Sequence, residues 1–319
     1  MGNKTLFCFV VTPFQASIIG KLPLNDYNHI YLVNLTRRKI SLDDNLKVID
    51  VVNSKNTFLR ILQVFKYIVF FRYYLSLKKD LCVAHHHHEF INRIFFSKNT
   101  NEILLYQDGV ANFYDPVIPL WVEQKIERRL NALRFFGFGS YVQCSDFFCA
   151  EKIGKVYTYF PLLLSDNLRE KGELVQVDSV SYEANKGVVL FIDQPVDSYF
   201  SKGEKDLVFR KIKDTLAKYR KVYVKRHHDG NFFGESVDVF KGGEFEVVTE
   251  SITAEELLIL IKPELVISFY SSALINIKLM GIDVKMLGFS PAKMKINRNG
   301  KEVSLRNFFS LFGVSLYEL

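Results

Sequence analysis

Short apolar runs, rich in β-branched and aromatic residues, alternate with helical patterns along most of this 319-residue chain. Such runs are typical of buried strands, and their alternation with helices predicts parallel sheets covered by helices. A polar stretch from Ser165 to Lys186 interrupts the alternation, which restarts at Gly187. The pattern therefore predicts an α/β protein with two domains, residues 1–180 and residues 181–319.

The individual elements follow from the same periodicities. In the first half the strand candidates are LFCFVV, HIYLVNL, LKVIDVV, LCVA, ILLYQ and YVQCS, and the helical patterns cover residues 14–20, 56–79, 89–97 and 121–135. In the second half the strand candidates are VVLFID, KVYVKR, FEVVT, LVISFY and VKMLG, and the helical patterns cover residues 204–218, 254–262 and 272–280.

Three polar islands stand at the ends of three strand candidates: Gln107-Asp108-Gly109, Arg226-His227-His228 and Tyr270-Ser271-Ser272. Ligands of open α/β sheets bind at the carboxyl ends of strands, so the islands predict one site. A carboxylate and an imidazole can act as base and acid, and serines at a helix start can bind phosphate. Each island also has a purely structural interpretation, as an Asp-Gly turn, a surface His pair or a Ser N-cap.

The composition is that of a folded protein, with 48% hydrophobic and 14% aromatic residues. No apolar stretch reaches the roughly 18 to 20 residues that span a bilayer, and the amino terminus lacks the pattern of a secretory leader. We therefore expect a cytoplasmic protein. Its four cysteines, Cys8, Cys82, Cys144 and Cys149, are expected to be reduced, and the spacing of the last two does not match a zinc site.

The chain is basic, with 42 Lys and Arg against 35 Asp and Glu. Such a balance suits nucleic acid, anionic lipid or an anionic substrate, but no nucleic-acid recognition motif gathers the basic residues, so nucleic acid is not expected. Residues 58–79 mix Arg and Lys with Leu, Ile, Phe and Tyr, which is typical of a membrane-interface segment and of a half-buried helix. Residues 293–306 are a second basic stretch. We expect peripheral contact with the inner face of the cytoplasmic membrane.

The His85–His88 run follows the strand candidate LCVA. Four adjacent imidazoles cannot all face one ion without unusual bending of the backbone. The run is therefore interpreted as a polar loop, either facing the cleft or in solvent, and no metal site is predicted. The pair Asp43-Asp44 lies in a polar segment and does not form a metal-binding D-x-D motif.

In order and character, the three islands resemble the signature motifs of bacterial sialyltransferases, which are acidic-Asp-Gly, His-Pro and Ser or Ser-Ser. In addition, VTPFQ at Val11–Gln15 is similar to their TPxQ turn, and ITAE at Ile252–Glu255 is similar to their I-P-x-E helix start. The set is most similar to glycosyltransferase family 52, the lipooligosaccharide and capsule sialyltransferases, with bacterial polysialyltransferases as a related group. The sequence departs from the motifs at Gln107, where the family has an acidic residue, and at His228 and Thr253, where it has Pro.

The resemblance implies a GT-B fold, in which two Rossmann-like domains face a central cleft; the first would bind the acceptor and the second the CMP-sugar. It implies an inverting, metal-independent sialyltransferase with CMP-sialic acid as donor and no cofactor. The acceptor would be a galactose-type hydroxyl of a lipooligosaccharide or capsular glycan. Asp108 would be the base and His227 the acid toward the leaving phosphate. The donor would contact Ser271, Ser272, Glu255 and His228, and the acceptor Thr12, Pro13, Gln15 and Gly109.

Two other functions agree with the same residues. One is a polysialyltransferase, or a transferase of another CMP-activated acid sugar. The other, from a different class, is a catalytically silent glycan-binding homologue, which the departures at Gln107 and His228 leave open. The sequence leaves the oligomeric state open as well, a homodimer included.

Overall fold

A computed structural model describes residues 4–10, 13–34, 47–50, 79–84, 100–107, 110, 113–115, 128, 153–175, 181–196, 199–227, 244–248 and 252–318. The chain divides into two compact units, Met1–Gln176 and Val177–Leu319. The boundary predicted near residue 180 lies a few residues beyond this division.

The described part of the first unit contains a seven-stranded parallel sheet. Its strands are β1 (Thr5–Val10), β2 (His29–Asn34), β3 (Lys47–Asp50), β4 (Lys79–Ala84), β5 (Thr100–Tyr106), β6 (Ile153–Thr158) and β7 (Gly172–Leu174). Their order is β3-β2-β1-β4-β5-β6-β7. The chain therefore moves outward from β1 to β3 and then crosses to β4 on the other side of β1, as in a Rossmann fold.

The centre of this first sheet is apolar because its strands are covered on both faces. All six residues of β1 are buried, and helix α1 (Pro13–Ile19) follows it with Ala16, Ile18 and Ile19 in the same core. Pro at the first helical position is favourable, since its missing N–H would have no partner there. Cys8 and Cys82 face each other across β1 and β4 as buried free thiols, and burial raises the pKa of Cys8.

The described part of the second unit contains a six-stranded parallel sheet and a short antiparallel hairpin. The sheet consists of β8 (Asn185–Ile192), β9 (Lys221–Lys225), β10 (Glu244–Val248), β11 (Pro263–Ser268), β12 (Lys285–Ser290) and β15 (Leu316–Glu318), in the order β10-β9-β8-β11-β12-β15. The hairpin pairs β13 (Lys295–Arg298) with β14 (Lys301–Ser304). Asn299 and Gly300, with φ of 50° and 71°, supply the positive dihedrals that such a tight turn requires.

The helices described beyond α1 are α2 (Asp166–Arg169), α3 (Lys202–Leu216), α4 (Ala254–Ile261), α5 (Ser272–Leu279) and α6 (Leu305–Ser310). A 3-10 turn, Pro161–Leu163, precedes α2. Helices α3 and α4 begin with capping boxes, in which Ser201 pairs with Glu204 and Thr253 pairs with Glu256. The predicted α/β class with two Rossmann-like units is confirmed. Within the described residues, no helix is long and apolar enough to cross a membrane.

Candidate functional site

The loops that follow β8 and β11 begin side by side at the point where the strand order of the second sheet reverses. Ligands of doubly wound sheets bind outside the carboxyl ends of the strands at such a point. The hydroxyl of Ser268, the last residue of β11, donates a 2.9 Å hydrogen bond to the carbonyl of Ile192, the last residue of β8. This bond fixes the carboxyl ends of the two strands relative to each other, beneath the predicted donor-binding residues.

Ser271 is the N-cap of helix α5. Its side chain is 6% exposed and accepts a 3.2 Å hydrogen bond from the backbone N–H of Ala273. Ser272 is the first helical residue and is half-buried. The N–H groups of a first helical turn lack intrahelical acceptors, and together with the helix dipole they favour an anion. The helix start predicted at these two serines is confirmed, and their contact with a phosphate remains an expectation.

Glu255 lies in the first turn of helix α4 and is half-buried. Its Oε1 accepts a 2.7 Å hydrogen bond from Nδ2 of Asn276, a residue of helix α5. Burial raises the pKa of the Glu255 carboxyl, and the hydrogen bond from Asn276 opposes that rise. The structure therefore ties Glu255 to the helix that Ser271 caps.

His227 lies two residues beyond the end of β9 and is half-buried. The carbonyl of Lys225 accepts a 3.0 Å hydrogen bond from the N–H of Asp193, which holds the end of β9 against the end of β8. Since β9 and β11 flank β8, His227 belongs to the same edge of the sheet as the serines. His228 lies outside the described residues, so the choice between the two histidines stays a prediction.

Two tyrosines extend this edge: Tyr270, which begins the third polar island, and Tyr199, which the sequence analysis did not single out. Tyr199 follows β8, Tyr270 follows β11, and their rings meet edge to face with centroids 6.4 Å apart. Tyr199 is 58% exposed and offers an aromatic face at the reversal point. Burial raises the pKa of the Tyr270 hydroxyl above its usual range.

In the first unit, Gln107 fixes the backbone just before Asp108. It is fully buried, and its Oε1 accepts hydrogen bonds from the hydroxyl of Thr158 at 2.6 Å and from the N–H of Tyr159 at 3.1 Å. Its own N–H donates to the carbonyl of Tyr157 at 2.9 Å. Gln107 thereby joins the carboxyl ends of β5 and β6. Asp108 and Gly109 themselves lie outside the described residues.

Two aromatic residues hold the chain on either side of Asp108. The hydroxyl of buried Tyr106 donates a 2.5 Å hydrogen bond to the carbonyl of Phe9 and so reaches past β4 to β1. Phe113 is fully buried and meets the ring of Phe160 edge to face at 6.3 Å. The described residues before and after Asp108 are therefore packed into the first unit.

The predicted acceptor-side residues are described only in part. Thr12 lies outside the described residues, and Pro13 is placed as the first residue of α1. Gln15 is 2% exposed in the same helix. Its contact with an acceptor stays a prediction.

The second unit also has a groove of about 750 Å³ between helix α4 and the strands β8, β9 and β10. Its lining includes both basic and apolar side chains, with Lys186, Arg220, Lys221, Tyr223, Leu257 and Leu260 among its residues. The groove is not lined by His227, Glu255, Ser271 or Ser272. In the described ranges, no group of three or more His, Cys, Asp or Glu is placed to hold a metal ion, and the His85–His88 run lies outside those ranges.

A family model described as alpha-2,8-polysialyltransferase matches residues 18–286, which is well over half of the chain. The chain belongs to the alpha-2,8-polysialyltransferase family, and its activity is a glycosyl transfer of the sialyltransferase type. The predicted relationship to bacterial sialyltransferases is confirmed, because the matching family is the polysialyltransferase group that the sequence analysis named as related to family 52. Membership of family 52 itself is not confirmed.

A sequence comparison with curated proteins finds no match. Similar solved structures include the glycosyltransferase of kitacinnamycin, at 10% identity and a TM-score of 0.49, covering 100% of this chain and 87% of that chain. Spinosyn rhamnosyltransferase SpnG complexed with thymidine diphosphate has 12% identity and a TM-score of 0.47, covering 99% and 86%. UDP-GlcNAc 2-epimerase from Neisseria meningitidis has 8% identity and a TM-score of 0.44, covering 83% and 77%. At these values the similarity defines neither the reaction nor the arrangement of the two units.

Proposed function

We propose that this protein transfers sialic acid from CMP-sialic acid to a glycan hydroxyl, with inversion and without a metal ion. The observation that carries the proposal is the capped start of α5, tied to Glu255 at the reversal point of a Rossmann-like sheet in a member of the polysialyltransferase family. This arrangement supports binding of an anionic nucleotide at the carboxyl edge of the second unit.

Departure of CMP requires stabilisation of the phosphate. The free N–H groups at the start of α5 and the hydroxyls of Ser271 and Ser272 are the proposed donors. His227 is the proposed acid, because a neighbouring phosphate favours the protonated imidazole. Glu255 would accept hydrogen bonds from the ribose hydroxyls, as the resemblance implies.

Attack requires a base for the acceptor hydroxyl. In the proposed step Asp108 takes the hydroxyl proton, the acceptor oxygen bonds to the anomeric carbon, and the bond from that carbon to the CMP phosphate breaks. The carboxylate also favours the positive charge that develops on the sugar. A single displacement of this kind inverts the anomeric centre. With the phosphate held by protein groups, the step needs no metal.

Two acceptors are compatible with this chemistry. A galactose-type hydroxyl of a lipooligosaccharide or capsular glycan is one. The family match favours the other, a hydroxyl of a terminal sialic acid, so that the enzyme would extend a polymer. The net charge of +7 also suits a polyanionic acceptor.

The test is release of CMP from CMP-sialic acid with lactose, with a sialylated oligosaccharide and with no acceptor. We expect Asp108→Asn to lower kcat by about 10² to 10⁴ while CMP affinity is nearly unchanged. Turnover of the variant within a few-fold of the parent protein would remove Asp108 from the mechanism. An absence of CMP release with every acceptor would favour the catalytically silent homologue.

The same assay in excess EDTA examines the role of metal. Turnover should be unchanged, because protein donors are proposed to hold the phosphate. A loss that Mg²⁺ or Mn²⁺ restores would contradict the proposed donor site.

A further inference from the structure

Asn276 is a polar residue buried in an otherwise apolar part of helix α5. It is 5% exposed, and its neighbours Leu274, Ile275 and Ile277 are fully buried. A buried amide is costly unless it is hydrogen-bonded, and an apolar residue of similar size would fill this place more favourably. The Nδ2 of Asn276 is bonded to Glu255, whereas its Oδ1 has no hydrogen-bond partner among the described residues. The amide is therefore better suited to orienting Glu255 than to filling the core.

The position of the pair favours this role. Helix α4 begins after the carboxyl end of β10, and helix α5 begins after the carboxyl end of β11. Both helix starts thus belong to the edge at which the sheet binds ligands. Asn276 follows Ser272 by four residues, a spacing that places two side chains on one face of a helix. The side-chain amide of Asn276 therefore connects the Glu255 carboxylate, at the start of α4, to helix α5.

The hydrogen bond limits what the Glu255 side chain can do. A free Glu in a first helical turn samples several rotamers, and fixing it on ligand binding costs conformational entropy. The bond at 2.7 Å holds Oε1, and hydrogen bonds from the backbone N–H of Glu255 and the side chain of Thr253 also reach the carboxyl. A carboxylate has about four acceptor sites, so it can still accept a hydrogen bond from a ligand. The bond from Asn276 also favours the ionised carboxyl against the effect of burial. An ionised carboxylate held in this way accepts hydrogen bonds from hydroxyls, which is the chemistry that a ribose diol offers.

We propose that Asn276 is a positioning residue for the donor: its side-chain amide holds the Glu255 carboxylate in the orientation that receives the ribose hydroxyls of CMP. This inference rests on the proposed function. It adds a residue outside the sialyltransferase-like motifs, and it predicts an effect on donor affinity and little effect on the chemical step.

The chain provides a matched control for a merely structural role. The Nδ2 of Asn185 donates a 2.8 Å hydrogen bond to the carbonyl of Ile261, at the opposite end of helix α4. Each end of this helix is thus held by one asparagine amide. Only the amide of Asn276 meets a carboxylate at the candidate donor site.

The experiment compares Asn276→Leu with Asn185→Leu in the full chain. Asn185→Leu should lower Tm because it loses one hydrogen bond to α4, whereas in Asn276→Leu the buried apolar side chain offsets the same loss. Asn276→Leu should raise the KM for CMP-sialic acid and the Kd for CMP about tenfold, as expected for a lost contact to a charged group, with kcat within about threefold. Asn185→Leu should leave KM and Kd unchanged. Equal KM values in the two variants would reduce Asn276 to a structural residue.

Asn276→Asp keeps the shape of the side chain and serves if the leucine variant does not fold. It places a second carboxyl next to that of Glu255, so the pair retains a proton at low pH and loses it as the pH rises. The CMP affinity of this variant should therefore fall with rising pH, relative to the parent protein. Glu256, the other carboxyl of this helical turn, is present in both proteins and cancels in the comparison. Parallel pH profiles would overturn the inference.

The variant Glu255→Gln tests the donor role of Glu255 separately from the positioning role of Asn276. A loss of CMP affinity in this variant but none in Asn276→Leu would overturn only the part assigned to Asn276. CMP affinity of Glu255→Gln equal to that of the parent protein would overturn the donor role of Glu255 itself, and the inference with it.

Discussion

Gln107 stands where the sialyltransferase motif has an acid, and its amide makes hydrogen bonds that a carboxylate could also make. Its Oε1 accepts two hydrogen bonds, from the hydroxyl of Thr158 and the N–H of Tyr159. A carboxylate could accept the same bonds, but it would place a charge in a fully buried position and raise the pKa of the adjacent Asp108 carboxyl. The amide therefore keeps the geometry and leaves Asp108 as the single acid of the island. The departure at Gln107 does not favour the catalytically silent homologue.

The two histidines of the second island should differ sharply. Successive residues of an extended backbone face opposite ways, so only one imidazole can meet the phosphate. We expect His227→Ala to lower kcat by about 10² or more, the usual contribution of a positioned acid, and His228→Ala to change it by a few-fold at most. Steady-state kinetics of the two variants measure this difference. Small and equal losses of kcat in the two variants would indicate that both histidines are surface residues without a catalytic role.

At the level of elements, the sequence predicted most of the strands and helices that form the carboxyl edge of the second sheet. Periodicity located β1 to β5, β8 to β12 and the helices α1, α3, α4 and α5 to within a few residues. It did not locate β6, the hairpin β13–β14, β15 or the short helices α2 and α6. Strand β7 was missed, because its three residues fall in the polar stretch taken as the break between domains. The capping boxes were missed although Ser201-x-x-Glu204 and Thr253-x-x-Glu256 carry the signal in the sequence.

The Glu255–Asn276 pair marks the limit of prediction from sequence. The two residues are 21 positions apart and lie on different helices, so no local pattern joins them. Their contact depends on how α4 and α5 pack, which is a property of the folded unit. Asn276 could at most be noticed as a polar residue in the apolar run SALINIKL.

Two glycines of the second unit should respond in opposite directions to alanine. Gly187 in β8 has a φ of 75°, and its N–H donates to Oε2 of Glu264 at 2.9 Å. Alanine is strained there, so Gly187→Ala should destabilise the fold by about 1 kcal/mol or more. Gly203 lies in helix α3, where an added Cβ meets nothing within 4 Å. Gly203→Ala should stabilise by up to about 1 kcal/mol. Chemical unfolding measures both changes, and effects of the same sign would contradict the assigned backbone conformations.

On the scale of the whole molecule, a lipid-linked acceptor would require contact with a membrane surface. Residues 58–78 of the predicted segment lie outside the described residues, and its last residue, Lys79, begins strand β4 instead of continuing a helix. The second basic stretch includes the hairpin β13–β14, where Lys295 is paired with Glu302 at 3.0 Å. Since this pairing neutralises one of its cations, we assign the larger share of the proposed contact to residues 58–79.

Binding to vesicles tests this assignment. Each basic side chain near an anionic surface contributes about 1 kcal/mol, and salt screens the attraction. The protein should therefore bind anionic liposomes at low salt and dissociate at about 0.5 M salt. Changing Arg60, Lys66 and Arg72 to Glu should weaken binding far more than Lys295→Glu, with neutral vesicles as the control. No binding at low salt would leave residues 58–79 as an ordinary helix face.

The strand order of the second sheet also sets the order in which that sheet can assemble. The bond between Ser268 and Ile192 joins residues 76 positions apart, and β9, β10 and α4 lie between them in the chain. Contacts of such long sequence separation form slowly, because a large loop must close first. On the ribosome, β8 must therefore wait for β11 to emerge before the centre of the sheet closes. A nascent chain that has completed β8, β9 and β10 still lacks the edge that is proposed to bind the donor, so nucleotide binding should report a finished second unit.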